Sequence, residues 1–566
     1  MIDKSNIEPL STIDAAWLRM EDPTNLMMVS GVLTFKEPLD IHRLRDVIEN
    51  RLLNFDRFRK RVVQPNIPFA SAYWEYDPNF DLDAHLHHIA LPKPGDKAAL
   101  QQMSSELMSI PLDFSKPLWM IHLIDNYEGG AAVFVRLHHC IADGMALVFV
   151  LLSLTDLTPD ASNRPPKDKP QQPASRRGFL GGVVTVFGKQ SRKVVSAGLG
   201  FTSKVVHHSV QILREPTHIW DIAQFGGENA FATARLVLRG NDPLTLFKGK
   251  LGVSKRAAWS QSLPLKDVKA IKKVTGTTVN DVLVAAMAGG LRRYLQQNGQ
   301  EVNGLNFRAA VPVNLRTPEE MGTLGNKFGL LFLTLPIGVA DPLERLNEVH
   351  NNMQALKNSK EGPVGLAILS SMGVTPTEFH SILLEMFGAK LTAVMTNVPG
   401  PPMPLYMAGE RIDNIMFWVP QSGRVGLGIS IISYAGKVYL GVATDAGLVP
   451  DPERIIDGFY TEFAELLSLA KEAEAVAAED TKQTESKAAV EAAPAQPTAE
   501  DDVSLPSPNN GDLDLQHING IGPIFATRLV AADIHSEADL KAKSADQLAG
   551  ILKISPARAA NILAEV

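Results

Sequence analysis

Apolar residues along the first 160 positions come in two rhythms. Short apolar runs such as GVLTF (Gly31 to Phe35) and AAVFVRL (Ala131 to Leu137) predict strands. The stretch IHRLRDVIENRLL (Ile41 to Leu53) places apolar residues three and four apart and predicts an amphipathic helix. The same alternation returns between positions 254 and 469. There FRAAVPVNL, LLFLTLPIG, LTAVMTNV and GLGISIISYAGKVYLGVATD read as strands, the last as a hairpin turning at Tyr434-Ala435-Gly436-Lys437. TVNDVLVAAMAGGLRRYLQQ and PLERLNEVHNNMQALK read as helices. The fold class is therefore α/β, with two strand-and-helix stretches.

Three stretches break the rhythm. The proline-rich TPDASNRPPKDKPQQPASRRG opens a region, 161–253, in which Arg176, Arg177, Lys189, Arg192, Lys193 and Lys204 alternate with apolar clusters. Two readings of it stay open: a basic amphipathic segment resting on an anionic membrane surface, or a solvated helix packing on the core. Residues 470–511 are rich in Ala, Glu and Lys with late prolines, a composition expected to stay disordered as a tether. Residues 512–566 form a compact tail. The chain thus divides into 1–160, 161–253, 254–469, 470–511 and 512–566.

With 566 residues, more than one core is affordable. The net charge of -7 argues against a protein that coats nucleic acid. One cysteine excludes an intrachain disulfide and a Cys-rich zinc site. The opening MIDKSNIEPLSTIDAAW lacks the apolar core of a secretory signal, and no apolar run reaches the roughly 18 residues of a membrane span. A reducing, cytoplasmic setting is expected.

The chemistry concentrates in VRLHHCIADGMALVFVLL, where a strand should end and a buried helix begin. A connection of this kind commonly presents reactive side chains. No third strong ligand stands at metal-binding spacing. A lone cysteine is more often a small buried hydrophobe than a nucleophile. General-base chemistry needs only one neutral imidazole held in place and a polar residue to hold the loop. His138, His139, Asp143 and Gly144 are the candidates. The second His-His pair, His207-His208, has no Asp-Gly after it and reads as helix surface.

The spacing His-His-x-x-x-Asp-Gly is similar to that of CoA-dependent acyltransferases of the chloramphenicol acetyltransferase and condensation-domain class. Further segments narrow this: LSTIDAAWLRMEDPTN, LDFSKPLW, TVNDVLVAAMAGGLRRYL, VPVNLR, GNKFG and TNVPGP follow one another in order. Together they resemble the bacterial wax ester synthase/acyl-CoA:diacylglycerol acyltransferase family over roughly residues 8 to 468.

That resemblance implies two chloramphenicol-acetyltransferase-like halves around a central tunnel. It implies transfer of a fatty acyl group from acyl-CoA to a long-chain alcohol or diacylglycerol, with His139 as base, His138 and Asp143 holding the loop, and no covalent intermediate. Pro117, Leu118 and Trp119 match the family's PLW motif, and Asn280 and Asp281 its ND motif; these are expected to shape the tunnel or steady the loop. Asn280 and Thr396 are both candidates to donate to the oxyanion. No cofactor and no metal are implied, acyl-CoA being a substrate. Another acceptor for the same chemistry, or a non-catalytic lipid-surface or tethering role, remains as an alternative. A position peripheral to the inner membrane or to lipid inclusions is expected.

The tail carries INGIGPIFATRL and LKISPARAANIL, each resembling half of a helix-hairpin-helix pair, with Gly520 and Gly522 at the first turn. Such turns can hold a phosphate on backbone amides. Here Arg528, Lys541, Lys543, Lys553 and Arg558 are outnumbered by Asp512, Asp514, Asp533, Glu537, Asp539 and Asp546, so nucleic-acid binding should be weak. Interaction with a protein partner, or self-association, is the favoured role.

Overall fold

The computed structural model describes residues 7–65, 71–160, 239–317, 320, 322–357, 385, 388–421, 425–491, 523–530, 532–552, 556–564 and 566. Most of the 161–253 region, His207-His208 and the Gly520–Gly522 turn lie outside these residues. Two compact units emerge from the packing. The first comprises Met1–Leu263, Asn306–Leu335 and Asn352–Ile456, and the second Pro264–Leu305, Pro336–Asn351 and Asp457–Val566.

The first unit holds two large sheets. One has six strands in the order Tyr406–Met407, Glu410–Trp418, Met28–Phe35, Gly130–His138, Trp119–Tyr127 and Leu86–Ala90. Gly130–His138 is buried along nearly its whole length, which explains its continuous apolar run rather than an alternation. It pairs antiparallel with Met28–Phe35, setting Met28 opposite His138, and with Trp119–Tyr127, setting Trp119 opposite Leu137. The strand Glu410–Trp418 comes from the far end of the core sequence, yet it pairs with Met28–Phe35, Phe417 opposite Gly31. The first sheet is therefore not made by the first 160 residues alone.

The second sheet runs Phe328–Leu335, Phe307–Asn314, Ala393–Pro399, Leu427–Tyr434, Lys437–Asp445 and Lys255–Trp259, with Leu263–Pro264 also pairing to Lys437–Asp445. Ala435 and Gly436, with φ of 47° and 77°, make the two-residue turn between its central strands. Positive φ at both positions matches the right-handed twist of a tight hairpin.

Two helices cover one face of the six-stranded sheet. Ile41–Arg51 starts at Asp40, whose side chain accepts from the amide of His42, and buries Leu44, Val47 and Ile48. Gly144–Leu154 starts at Asp143.

In the second unit, Leu265–Thr275 ends on Gly276 at φ 68°, a left-handed cap that glycine adopts without strain. The next helix, Val279–Gln297, buries almost every residue of its central turns. It approaches Glu453–Glu491 closely: a Cβ at Gly458 would lie 3.0 Å from the Cα of Gly290. Arg345 and Glu462 form a buried ion pair, to which Arg293 adds a 2.6 Å contact.

The helix Glu453–Glu491 corrects part of one expectation, whose remaining residues, 492–511, lie outside the described residues. Residues from 470 were read as a disordered tether, yet they stay helical through Glu491. Low hydrophobicity argues against a core, but a helix satisfies its backbone locally. Ala, Glu, Lys and Gln favour it, and no proline or glycine interrupts the run before Pro494. Beyond it, Pro523–Val530, Glu537–Lys541, Ala545–Leu552 and Pro556–Ala564 gather around Phe525, Leu529, Leu540, Leu548, Leu552 and Ile562.

Candidate functional site

The strand Gly130–His138 delivers its last residue into a tight loop. The His138 amide donates to Leu118 O at 2.9 Å, the His139 amide to Met27 O at 2.7 Å, and the Ile141 amide returns to His138 O at 3.0 Å. The His138 side chain is fully buried; its Nδ1 accepts from the Cys140 amide at 3.1 Å, and its Nε2 stands 3.5 Å from Glu21 Oε2. This imidazole belongs to the loop's own scaffold.

His139 points elsewhere. Trp17 stacks on its ring, and Phe328 closes another side at 5.9 Å between centroids. Its Nδ1 lies 2.9 Å from Asn326 Oδ1. Asn326 Nδ2 donates to Asp14 Oδ1 at 2.7 Å and to the His139 carbonyl at 2.8 Å. Asp14 is fully buried and takes a 3.0 Å contact from Arg57, which also donates to Ile141 O at 3.0 Å. Among the described residues nothing hydrogen-bonds to His139 Nε2. Burial holds the His139 imidazole down at about 4, so the ring is neutral near pH 7 and its nitrogen lone pair is free to accept a proton. The neighbouring Cys140 is buried and its thiol is pushed far up by desolvation, which keeps thiolate chemistry out of the site.

Asp143 holds the loop's far end. Its Oδ1 accepts from the Ala146 amide at 3.0 Å and caps the following helix. Its Oδ2 pairs with the buried Arg316 and accepts from the Lys327 amide at 2.8 Å. Gly325, at φ 100°, bridges to Ala142 and accepts from the Asp143 amide at 3.2 Å. The histidine loop is thus tied to the 316–327 segment through Asp143 and Asn326.

Pro117, Leu118 and Trp119 lie at the start of the adjacent strand. Trp119 donates from Nε1 to Phe58 O at 2.8 Å and stacks on His85, with centroids 4.5 Å apart. It also helps to line an apolar cavity of about 160 Å³ between the six-stranded sheet and the two helices that cover it. Leu137 and Gly144, on either side of the histidine loop, both reach this cavity, and Ser30 is its one polar side chain.

Comparison with known proteins places the chain in a family. Residues 10–283 match the wax ester synthase/diacylglycerol acyltransferase catalytic domain, and residues 324–467 match the C-terminal domain of the same family. The chain belongs to the wax ester synthase/diacylglycerol acyltransferase family. A Mycobacterium tuberculosis protein provisionally named a diacylglycerol O-acyltransferase is 28% identical over 500 residues, which cover 81% of this chain and 90% of its own. In fold, the chain is similar to the family's Marinobacter aquaeolei VT8 wax ester synthase/diacylglycerol acyltransferase, at 23% identity and a TM-score of 0.57, covering 82% of this chain and 100% of that one. It is similar also to the first condensation domain of the calcium-dependent antibiotic synthetase, at 15% identity and a TM-score of 0.51, with 83% and 97% covered. The tail, 512–566, matches the SAM-like helix-hairpin-helix tandem.

Within this wax ester synthase/diacylglycerol acyltransferase chain, the remaining sequence candidates fall in two places. Thr396 is buried on Ala393–Pro399, opposite Ser430 of the neighbouring strand. Asn280 and Asp281 open the helix Val279–Gln297 of the second unit. There Asp281 completes a capping box with Thr278 and stands 2.6 Å from His350 Nδ1. The sequence alone did not assign Asp14, Trp17, Arg57, Arg316 or Asn326. All but Arg57 lie inside a family segment, but none carries a pattern of its own.

Proposed function

We propose that this protein is an acyl-CoA-dependent O-acyltransferase that moves a fatty acyl group onto the hydroxyl of a long-chain alcohol or diacylglycerol, making wax ester or triacylglycerol, with His139 as the general base. The observation that carries this reading is the placement of one buried, neutral imidazole, its Nε2 without a hydrogen-bond partner among the described residues, on a loop whose two ends both line an apolar cavity. The cavity, almost wholly apolar, suits an acyl chain.

In the reaction, Nε2 of His139 takes the acceptor's hydroxyl proton as its oxygen attacks the thioester carbonyl. The tetrahedral intermediate collapses, the carbon–sulfur bond breaks, and the leaving thiolate receives the proton back from His139. Free CoA and the new ester result. Base and acid are the same residue, so no acyl-enzyme and no second titrating group is needed. Asn280 and Thr396 are our candidates to donate to the oxyanion. Asp143 and His138 keep the loop in shape through the contacts described above.

Both products are insoluble in water, and the reading extends to a peripheral position at a membrane or lipid inclusion, with the basic 176–213 segment as the contact. No helix among the described residues is long and apolar enough to cross a membrane. The tail serves a protein partner.

Thiol release from palmitoyl-CoA, with hexadecanol and with dioleoylglycerol as acceptors, tests the assignment. Release that depends on the acceptor and disappears in a folded His139→Ala variant supports it; equal release by that variant removes His139 from the chemistry.

A further inference from the structure

A base can work through Nε2 only if the proton of the neutral ring sits on Nδ1, and buried surroundings alone do not choose between the two tautomers. Two acceptors make the choice here, the carbonyl of His139 itself, which also hydrogen-bonds the ring, and an amide. Asn326 sends its Nδ2 toward two oxygens, Asp14 Oδ1 at 2.7 Å and the His139 carbonyl at 2.8 Å. Reversing the amide would set oxygen against oxygen at both contacts. The His139 carbonyl can never donate, so the reversal stays unfavourable whatever the protonation of Asp14. With both Nδ2 hydrogens taken, Asn326 Oδ1 must face the imidazole, 2.9 Å from Nδ1, where only a proton on Nδ1 satisfies it.

We infer that Asn326 is a positioning residue that locks His139 in the Nδ1–H tautomer, with Asp14 and Arg57 fixing the orientation of the Asn326 amide. The inference rests on the acyltransferase reading for its role in catalysis, but not for the tautomer itself. Arg57 makes the lock rigid: one guanidinium nitrogen meets Asp14 at 3.0 Å and the Ile141 carbonyl at 3.0 Å, so the carboxylate and the loop after His139 move as one piece. Trp17, stacked on the imidazole, restricts its rotation.

The amide has a second consequence. In a catalytic triad a carboxylate touches the histidine directly and favours the imidazolium. Here a neutral group intervenes, and the charge of Asp14 acts from one link further away, already met by Arg57. The charged and titratable groups around the ring are Asp14 and Arg57 on one side, with Glu8 behind Arg57, and Asp143, His138 and Glu21 on the loop side. None of them hydrogen-bonds the His139 ring. The base therefore stays unprotonated far into the acid range while remaining oriented.

Three variants and one spectrum test this. Asn326→Ala should lower kcat about ten- to a hundredfold with KM for palmitoyl-CoA little changed, because substrate contacts remain while the tautomer keeps only the residue's own carbonyl as acceptor. Asn326→Asp should move the acid limb of the kcat/KM profile upward by at least about one pH unit, because a carboxylate then faces the imidazole. Asp14→Asn should lose less than Asn326→Ala, since the His139 carbonyl still orients the amide. A purely structural Asn326 would change melting temperature and leave the acid limb in place, and that result overturns the proposal. So does an Asn326→Ala enzyme with wild-type kcat. The 15N shifts of the His139 imidazole in the wild-type chain, assigned by their loss in His139→Gln, decide the tautomer without any activity: Nδ1–H supports the lock, Nε2–H refutes it. Wild-type protein showing Nδ1–H but no acceptor-dependent CoA release would leave the lock standing and sink the acyltransferase reading.

Discussion

Trp17 lies flat on the imidazole of His139, with ring centroids 4.0 Å apart and planes 17° from parallel. The indole removes water from one whole face of the base and so contributes to the burial that depresses its basicity. Trp17→Ala should cost about 3–5 kcal/mol of stability and move the acid limb of activity upward toward the ordinary histidine value of about 6.5. Trp17→Phe keeps a ring over the base and should leave the limb close to its wild-type position. A pH series of CoA release for the two variants checks this.

Stability should depend on pH through the same histidine. Its folded value, about 4, is below the unfolded one, so the unfolded chain binds more protons between pH 6.5 and 4. The stability this represents is fully present above about pH 6.5 and is lost as the pH falls toward 4. His122, also buried and held at about 4 by desolvation, adds to the loss in the same direction. By pH 5 each should have withdrawn about 2 kcal/mol. Denaturant midpoints at pH 7.5 and 5.0 measure the sum, and His122→Gln should reduce the difference.

Asp143→Asn retains an oxygen to cap the Ala146 amide but leaves Arg316 buried without its counter-charge. Breaking one side of a buried pair costs about 3–5 kcal/mol. Replacing both, as Asp143→Asn with Arg316→Met, should recover part of that loss. Chemical denaturation of the single and double variants distinguishes the two outcomes, and activity should follow folding rather than pH.

Gly144 borders the apolar cavity, and a Cβ placed there would meet nothing within 4 Å. Gly144→Leu therefore fills space that a long acyl chain would use. Its kcat/KM for palmitoyl-CoA should fall at least about tenfold, while hexanoyl-CoA is affected much less. Equal losses with both would place the acyl chain elsewhere.

The sequence made some of this visible and hid the rest for physical reasons. The strand Gly130–His138 and the helix Gly144–Leu154 were legible because each is a long apolar run and the polar His-His-Cys-Ile-Ala-Asp loop interrupts them. The family segments pointed to the acyltransferase fold. Asn326 was not legible as a partner of His139, since 187 residues separate them and a single asparagine has no periodicity. Asp14 and Arg57 were hidden in the same way: their chemistry exists only after folding. The helical residues up to Glu491 were misread because hydrophobicity reports on cores, while a helix can be carried by propensity.

The strand Glu410–Trp418, docked beside Met28–Phe35, has a consequence for how the molecule is made. A ribosome releases residues 28–138 hundreds of codons before the strand that covers their sheet edge exists. Until then the nascent chain exposes an unpaired edge at Met28–Phe35, a template for wrong pairing with another chain. The first sheet closes only after residue 418 has emerged, so this half cannot mature as a free-standing intermediate during synthesis. Truncation between positions 160 and 400 should accordingly yield aggregating protein, and chaperone occupancy on translating ribosomes should persist past the midpoint of the message.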